Sequence, residues 1–170
     1  MKDDIKIFSV DFDSFYKILT DKEVFQPKRL KKFYKLIDKL DITKKYWVIH
    51  HSKLYNFLFY ELKPRRCANF KNMKIWNLDN HKDDNPIDEY YGKDIAEDNW
   101  ASHFKKSGGE YNYIYPKKFF QPSDLKKISK KIPSNFDYLI LSRTPSFTKQ
   151  QHFNRLLNNI DIKRWVNPVY

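Results

Sequence analysis

A group of acidic and imidazole side chains follows an apolar stretch near the middle of the chain. Asp79, His81 and Asp83 occupy alternate positions directly after residues 73–78. Alternate side chains of an extended segment point the same way, so the two carboxylates and the imidazole can converge. Carboxylate oxygens and imidazole nitrogens together suit a divalent metal ion. The pattern predicts ligands for one ion, or for two ions that share them.

Polar side chains also end three other apolar stretches. They are Asp11 and Asp13 after residues 5–10, His50 and His51 after 46–49, and Ser142 and Arg143 after 136–141. In parallel sheets, ligands bind outside the carboxyl ends of the strands. Four strands would therefore deliver reactive side chains to one edge. At that edge, Arg143 is the candidate for binding an anionic substrate group, because a guanidinium matches carboxylate and phosphate geometry.

The spacing of apolar residues predicts alternating strands and helices. Strands are expected at 5–13, 46–49, 73–78, 111–115 and 136–141, and helices at 27–40, 52–59, 97–106, 123–131 and 148–159. Strands that are nearly all apolar and separated by helices are typical of a parallel sheet covered on both faces. The sequence therefore predicts an α/β fold, a three-layer sandwich with a mainly parallel sheet, in one domain spanning residues 1–170.

Composition limits the class of protein. A chain of 170 residues fits one domain with a real core, and a single cysteine, Cys67, excludes an internal disulfide and a multi-cysteine zinc site. No apolar run reaches the length of a membrane span, and the first residues lack a signal-peptide pattern, so we expect a cytoplasmic protein. The net charge of +12 is compatible with a nucleic-acid partner, although the lysines are spread widely enough to be ordinary solvated surface.

The acidic residues at the predicted sheet edge favour bound metal. Bringing Asp11, Asp13, Asp79 and Asp83 together without cations would be unfavourable, because like charges repel strongly where water is excluded. Two divalent ions about 3.5–4 Å apart would remove that repulsion and form a hydrolytic site. The alternative is that each acidic cluster separately caps a helix or ends a strand in solvent. For the clusters taken jointly we favour metal.

The same motifs resemble the metal-binding set of the arginase/ureohydrolase fold, in a permuted order. The D-x-H-x-D at 79–83 and the D-x-D at 11–13 both have counterparts in that family, and His51-Ser52 matches the segment that supplies its first metal-binding histidine. The resemblance implies a site for two manganese ions and hydrolysis of a C–N bond in a small-molecule substrate. The predicted ligands are Asp11, Asp13, His51, Asp79, His81 and Asp83.

Asp79, His81 and Arg143 are the predicted catalytic residues, and two other functions remain open. A metal-dependent nuclease or phosphoesterase would explain the +12 charge beside an acidic cluster. A catalytically inactive, arginase-like binding or inhibitor protein would retain the fold and the metal without turnover.

Overall fold

Seven strands and five helices make up the described part of the chain. The computed structural model describes residues 4–49, 58–59, 69–87, 94–143 and 148–160, with the backbone alone of residues 47–49. The strands are β1 (Ile5–Asp11), β2 (Tyr16–Ile18), β3 (Glu23–Phe25), β4 (Asp41–Ile49), β5 (Met73–Leu78), β6 (Glu110–Ile114) and β7 (Asn135–Arg143). The helices are α1 (Pro27–Ile37), α2 (Trp100–Lys106), α3 (Pro116–Phe119), α4 (Leu125–Ser129) and α5 (Gln150–Asn159).

Five of the strands form one parallel sheet in the order β4-β7-β1-β5-β6. Its central strand, β1, is buried from Ile7 to Asp11, as expected for a strand covered on both faces. Alternate residues of β1 enter two different cores, because successive side chains of a strand point to opposite faces. Phe8 and Val10 pack with residues of α1, α4 and α5, whereas Ile7 packs with residues of α2. The molecule is therefore a three-layer α/β sandwich.

The predicted fold class is confirmed, and most predicted elements are present. The strand expected at 46–49 is longer, starting at Asp41, and the one expected at 5–13 ends at Asp11. It ends there because the Asp11 carboxylate accepts a hydrogen bond from the backbone of Asp13 and begins a 3-10 helix, Phe12–Phe15. Residues 52–57 of the predicted helix at 52–59 lie outside the described residues.

A small hairpin was missed by the sequence interpretation. Strands β2 and β3 pair in antiparallel fashion and form a separate two-stranded sheet after the 3-10 helix. Three-residue strands carry too little periodic signal to be recognised from sequence. The longest helix in the described ranges has 11 residues, and none of them could cross a bilayer, which takes about 20 apolar residues.

Candidate metal site

Three strand ends lie level at the carboxyl edge of the sheet, with β1 in the middle. Val10 of β1 is in register with Leu78 of β5 on one side and with Leu141 of β7 on the other. Asp11 and Asp79 directly follow Val10 and Leu78. The strand order therefore brings the acidic segments that follow β1 and β5 next to each other, which the linear sequence did not reveal.

Asp13, Asp79 and His81 form a compact cluster at this edge. One potential ligand atom from each residue lies within 4.8 Å of those of the other two. His81 Nδ1 is 3.0 Å from Asp13 Oδ2 and 3.6 Å from Asp79 Oδ1. The backbone nitrogen of His81 also donates to Asp79 Oδ1 at 2.8 Å, which fixes the turn that carries the imidazole. Two neighbouring strands thus supply one three-residue cluster.

Hydrogen bonds tie the two loops of the cluster together. Ser14 Oγ donates to the carbonyl of Leu78 at 2.8 Å. In the opposite direction, Asn80 Nδ2 donates to the carbonyls of Asp13, at 2.7 Å, and Tyr16, at 3.3 Å. Because these bonds cross between the segments that follow β1 and β5, the protein's own hydrogen bonds hold Asp13 and Asp79 in position. A preorganised arrangement of this kind is what a metal or catalytic site requires.

The charges in the cluster are strongly coupled. Hydrogen bonding to Asp13, and then to Asp79, raises the pKa of His81 to about 11. The imidazole is therefore protonated at neutral pH in the metal-free protein, and its positive charge compensates part of the negative charge of the carboxylates. A metal ion that binds His81 Nδ1 must displace that proton, which links metal affinity to pH.

Residues from two further strands lie near the cluster. Burial and then the charge of Asp13 raise the pKa of Glu23, on β3. Burial and then the charge of Asp79 raise the pKa of Tyr113, on β6. The protonation of Glu23, on the hairpin, and of Tyr113, on the edge strand, is therefore linked electrostatically to the acidic group.

The donor set of the cluster fits a divalent ion. Asp13 and Asp79 are only 3% and 1% exposed, so two carboxylates are withdrawn from water at short range. The side chain of His81 is 53% exposed and leaves one side of the cluster open. A dipositive ion would balance both carboxylates, and oxygen and nitrogen ligands together suit manganese, iron or zinc. The cluster could therefore hold a metal ion.

Asp11 and Asp83 are buried beside the cluster but are not part of this three-residue group. The Asp11 carboxylate caps the 3-10 helix. Asp83 accepts a 2.8 Å hydrogen bond from Trp100 Nε1, and its own carbonyl accepts from the backbone of Ala101. Asp83 has a φ of 55°, so the segment after β5 turns towards α2 instead of remaining extended. The alternation expected for the D-x-H-x-D motif therefore does not extend to Asp83.

Arg143 connects the end of β7 to the segment that leads into α5. It is 5% exposed. Its Nη2 donates to the carbonyl of Thr148 at 3.0 Å, its Nη1 donates to Gln150 Oε1 at 3.1 Å, and its Cζ lies 5.3 Å from the centre of the Phe153 ring. The guanidinium thus has a structural role, and its predicted contact with an anionic substrate stays a prediction. Thr148, at the start of the helix predicted for residues 148–159, contributes its carbonyl to Arg143, and the residue before the first helical one is Lys149.

The predicted ligand His51 lies outside the described residues, as does His50. The strand that precedes them, β4, is at the edge of the sheet, and β7 separates it from β1. Adjacent strands are about 4.8 Å apart, so the end of β4 starts about 10 Å from the end of β1. The contribution of His51 to the metal site stays a prediction.

Asn80 and Glu23 are the site residues that sequence reasoning missed. Asn80 lies inside the D-x-H-x-D motif, and its position between the predicted ligands Asp79 and His81 is a sequence feature that could have indicated a role in the site. Glu23 is ten positions from Asp13 and approaches it only because β2 and β3 fold back as a hairpin. No local pattern could have indicated that approach.

Comparisons with protein-family profiles, curated proteins and solved structures find no match to this chain. The resemblance to ureohydrolases therefore stays a prediction that depends on the motifs alone.

Proposed function

We propose that the protein is a metal-dependent hydrolase whose divalent ion is held by Asp13, Asp79 and His81. The observation that carries the proposal is the convergence of two buried carboxylates and an imidazole within 4.8 Å at the carboxyl edge of a parallel sheet. Ligand and catalytic sites of open α/β sheets occur at this edge. The hydrogen bonds from Ser14 and Asn80, which hold the loops of the cluster, add further support.

The residues in and around the cluster would have different roles in such a site. Three protein ligands leave coordination positions open, as is usual in catalytic metal sites. A bound divalent ion supplies Lewis acidity towards a substrate oxygen and neutralises the two carboxylates. Glu23, whose carboxyl pKa is raised by burial and by the charge of Asp13, would exchange protons with substrate or solvent, and Tyr113, whose pKa is raised, would remain a protonated hydrogen-bond donor. His81, half exposed, would mark the side from which substrate enters.

Manganese is the ion that we propose, because the ligands are two carboxylates and one imidazole and because the ureohydrolase resemblance implies it. The described residues provide one group of three ligands, enough for one ion. The second ion implied by the resemblance would need Asp11, Asp83 or His51. Asp11 caps the 3-10 helix and Asp83 accepts from Trp100 through Oδ2, so either residue would bind a second ion in addition to these roles, whereas His51 would have to approach β1 from the edge strand.

C–N bond hydrolysis of a small molecule is the reaction that the resemblance favours. A second candidate, phosphoester hydrolysis, is favoured by a separate observation. A basic groove starts beside the cluster, where the guanidinium of Arg29 donates to the carbonyl of Ser14, next in sequence to Asp13. The cationic residues that line the basic groove are Lys28, Arg29, Lys32, Lys117 and Lys118.

Metal binding by the variant His81→Ala tests the proposal. We expect the purified wild-type protein to retain manganese after dialysis and the variant to lose at least about 100-fold in affinity, because a direct ligand is removed. Isothermal titration calorimetry with manganese, together with elemental analysis, measures this. His103→Ala is the matched control, because His103 is a histidine of α2 outside the cluster. Equal manganese affinity in His81→Ala and the wild type would overturn the ligand assignment.

Turnover then separates the functional alternatives. The manganese-loaded protein is assayed on guanidino and amide compounds and on a chromogenic phosphodiester, with His81→Ala as the inactive reference. Activity on the first class supports the ureohydrolase-like function, and activity on the second supports the phosphoesterase. Tight metal binding with no turnover on either class would favour the inactive binding or inhibitor protein and contradict the proposed hydrolase.

A further inference from the structure

A cavity lies between the start of α1 and the segment that follows β6. Its volume is about 510 Å³. Five of its nine described lining residues are cationic, namely the residues of the basic groove, and none of the nine is acidic. Tyr115 also lines the groove and is 43% exposed. The groove therefore combines concentrated positive charge with an accessible aromatic ring.

The charges of the basic groove are not balanced by carboxylates of the described residues. Lys32 Nζ donates to the backbone carbonyls of Phe120 and Pro122, at 2.7 and 2.9 Å. Arg29 Nη1 donates to the carbonyls of Ser14 and Tyr16, at 3.1 and 3.0 Å. Carbonyl oxygens fix the positions of these cations but are uncharged, so the positive charge of both side chains persists. The remaining cations of the groove, Lys28, Lys117 and Lys118, are exposed to solvent.

The basic groove and the metal cluster are connected through shared atoms. The carbonyl of Tyr16 accepts hydrogen bonds both from Arg29, in the groove, and from Asn80, which also holds Asp13. At the end of β6, the carbonyl of Ile114 accepts a hydrogen bond from the backbone nitrogen of Asp79 at 3.3 Å, and Tyr115, next in sequence, lines the groove. The groove and the metal cluster therefore adjoin each other through these backbone atoms.

We propose that the basic groove binds single-stranded nucleic acid, with phosphates on the five cations and one base stacked on Tyr115. Single-strand sites combine a positively charged groove with an aromatic platform, because phosphates contribute most of the affinity and every base has a face to stack. The cavity has the volume of a small-ligand pocket, which suits a few unpaired nucleotides rather than a rigid duplex.

The proposal names the substrate class of the metal site for the second proposed function, phosphoester hydrolysis. Cleavage of the bound strand therefore rests on that function. Hydrolysis of one phosphodiester consumes one water molecule. The oxygen of the water bonds to phosphorus, one P–O ester bond breaks, and the leaving sugar oxygen takes a proton. Binding in the groove does not itself require the metal.

Fluorescence anisotropy with a labelled 20-nucleotide single strand, of RNA and of DNA, tests the proposal. Titrations are made in chelator, so that the groove is measured without the metal site. The variant Lys117→Gln/Lys118→Gln should bind about ten-fold more weakly, and its salt dependence should fall by about 1.4 in logarithmic slope, which corresponds to two lost phosphate contacts. Tyr115→Ala should weaken binding several-fold with the salt slope unchanged, because stacking releases no counterions.

A matched control removes the same charge elsewhere. Lys71→Gln/Lys106→Gln removes two exposed lysines that do not line the groove, one of them on α2 at the opposite face of the sheet. We expect it to bind the single strand as the wild type does. Equal weakening by both double variants would overturn the proposal, since the attraction would then come from net charge alone. Equal or tighter binding of a duplex, or of a mononucleotide, would overturn the single-strand assignment.

The two proposals fail in different ways. Single-strand binding that depends on Lys117 and Lys118, without manganese binding or cleavage, would support the groove and contradict the hydrolase. Manganese binding that depends on His81, without single-strand binding, would support the metal site and contradict the groove.

Discussion

The two halves of the carboxyl edge of the sheet start from similar sequence signals and end in different structures. Between β1 and β5, Asp13, Asp79 and His81 converge, and hydrogen bonds from neighbouring loops hold them. Between β1 and β7, the polar Arg143 turns to Thr148 and Gln150 and packs over Phe153. A polar residue at a strand end therefore joins the candidate metal site or packs against the next helix, depending on the face of the sheet to which its side chain points.

Register and alternation explain this difference. Ser142 is in register with Asp11, so Arg143, one residue further, points to the opposite face of the sheet. That face contains Phe153 and Leu156 of α5, which leave room for the planar guanidinium beside an aromatic ring. On the other side, Asn77 Nδ2 lies 3.5 Å from Asp79 Oδ2, which places both on one face. One position along the strand thus decides whether a side chain packs under α5, as Arg143 does, or lies on the face that Asp11 and Asp79 share.

The largest effects should come from removing the central charged residue of each half, Asp79 in one and Arg143 in the other. We expect Asp79→Asn to weaken manganese binding by more than about 100-fold, because a ligand charge is lost. The same change should alter the free energy of unfolding of the metal-free protein by no more than about 1 kcal/mol, since an amide oxygen can still accept from the backbone nitrogen of His81.

We expect Arg143→Ala to lower the free energy of unfolding by about 2–4 kcal/mol, because hydrogen bonds from a buried charged group and its packing on the Phe153 ring are lost. The manganese affinity of this variant should be unchanged.

Urea denaturation in chelator and calorimetry with manganese measure the two effects. Asp21→Asn, an exposed aspartate, and Arg155→Ala, an exposed arginine over the Phe25 ring, are the matched controls. Loss of metal binding in Arg143→Ala, with the fold retained, would show that the β7 half belongs to the site.

The pH dependence should distinguish the halves next. The pKa of His81 is about 11 in the folded protein against an ordinary value of 6.5. Because the folded-state pKa is the higher one, the stabilisation is complete below about pH 6.5 and is lost progressively as the pH rises through about 11. Between about pH 6.5 and 9, the free energy of unfolding of the metal-free wild type should therefore fall more steeply with pH than that of His81→Ala. Arg143 should not contribute to the change in this range.

Manganese affinity should have the opposite dependence on pH. It should rise by about ten-fold per pH unit between about pH 6 and 8.5, because each ion displaces one proton from His81. Calorimetry in buffers of different ionisation enthalpy counts the released protons. A manganese affinity that is constant over this range would contradict binding through His81 Nδ1.

The smallest effect concerns Glu23, which borders the cluster without belonging to it. We expect Glu23→Gln to lower manganese affinity by only about two- to five-fold, because a nearby charge, screened by solvent, is removed while the ligands remain. Glu97→Gln, an exposed glutamate outside the site, is the control. A loss as large as that of Asp79→Asn would identify Glu23 as a ligand and extend the site to the hairpin.

Much of the fold was predictable because its signals are local. The apolar residues of α1 recur at helical spacing, and Leu30, Phe33 and Ile37 are indeed buried. The apolar stretches of β1, β5 and β7 indicated strands covered on both faces. The hairpin was missed because its strands are short. The alternation of Asp79 and His81 does not continue to Asp83, because the strand ends at Leu78 and the backbone turns at Asp83, and the role of Asp83 as a ligand stays a prediction.

The sequence by itself determined the fold class, the residue types at the strand ends and the approximate position of the candidate ligands, because these follow from periodicity and from the chemistry of single side chains. Only the tertiary structure decided that β5 lies beside β1, that β4 is at the edge, and that Glu23 and the basic groove lie near Asp13. Strand order and loop direction depend on the packing of the whole chain, and no short stretch of sequence contains that information.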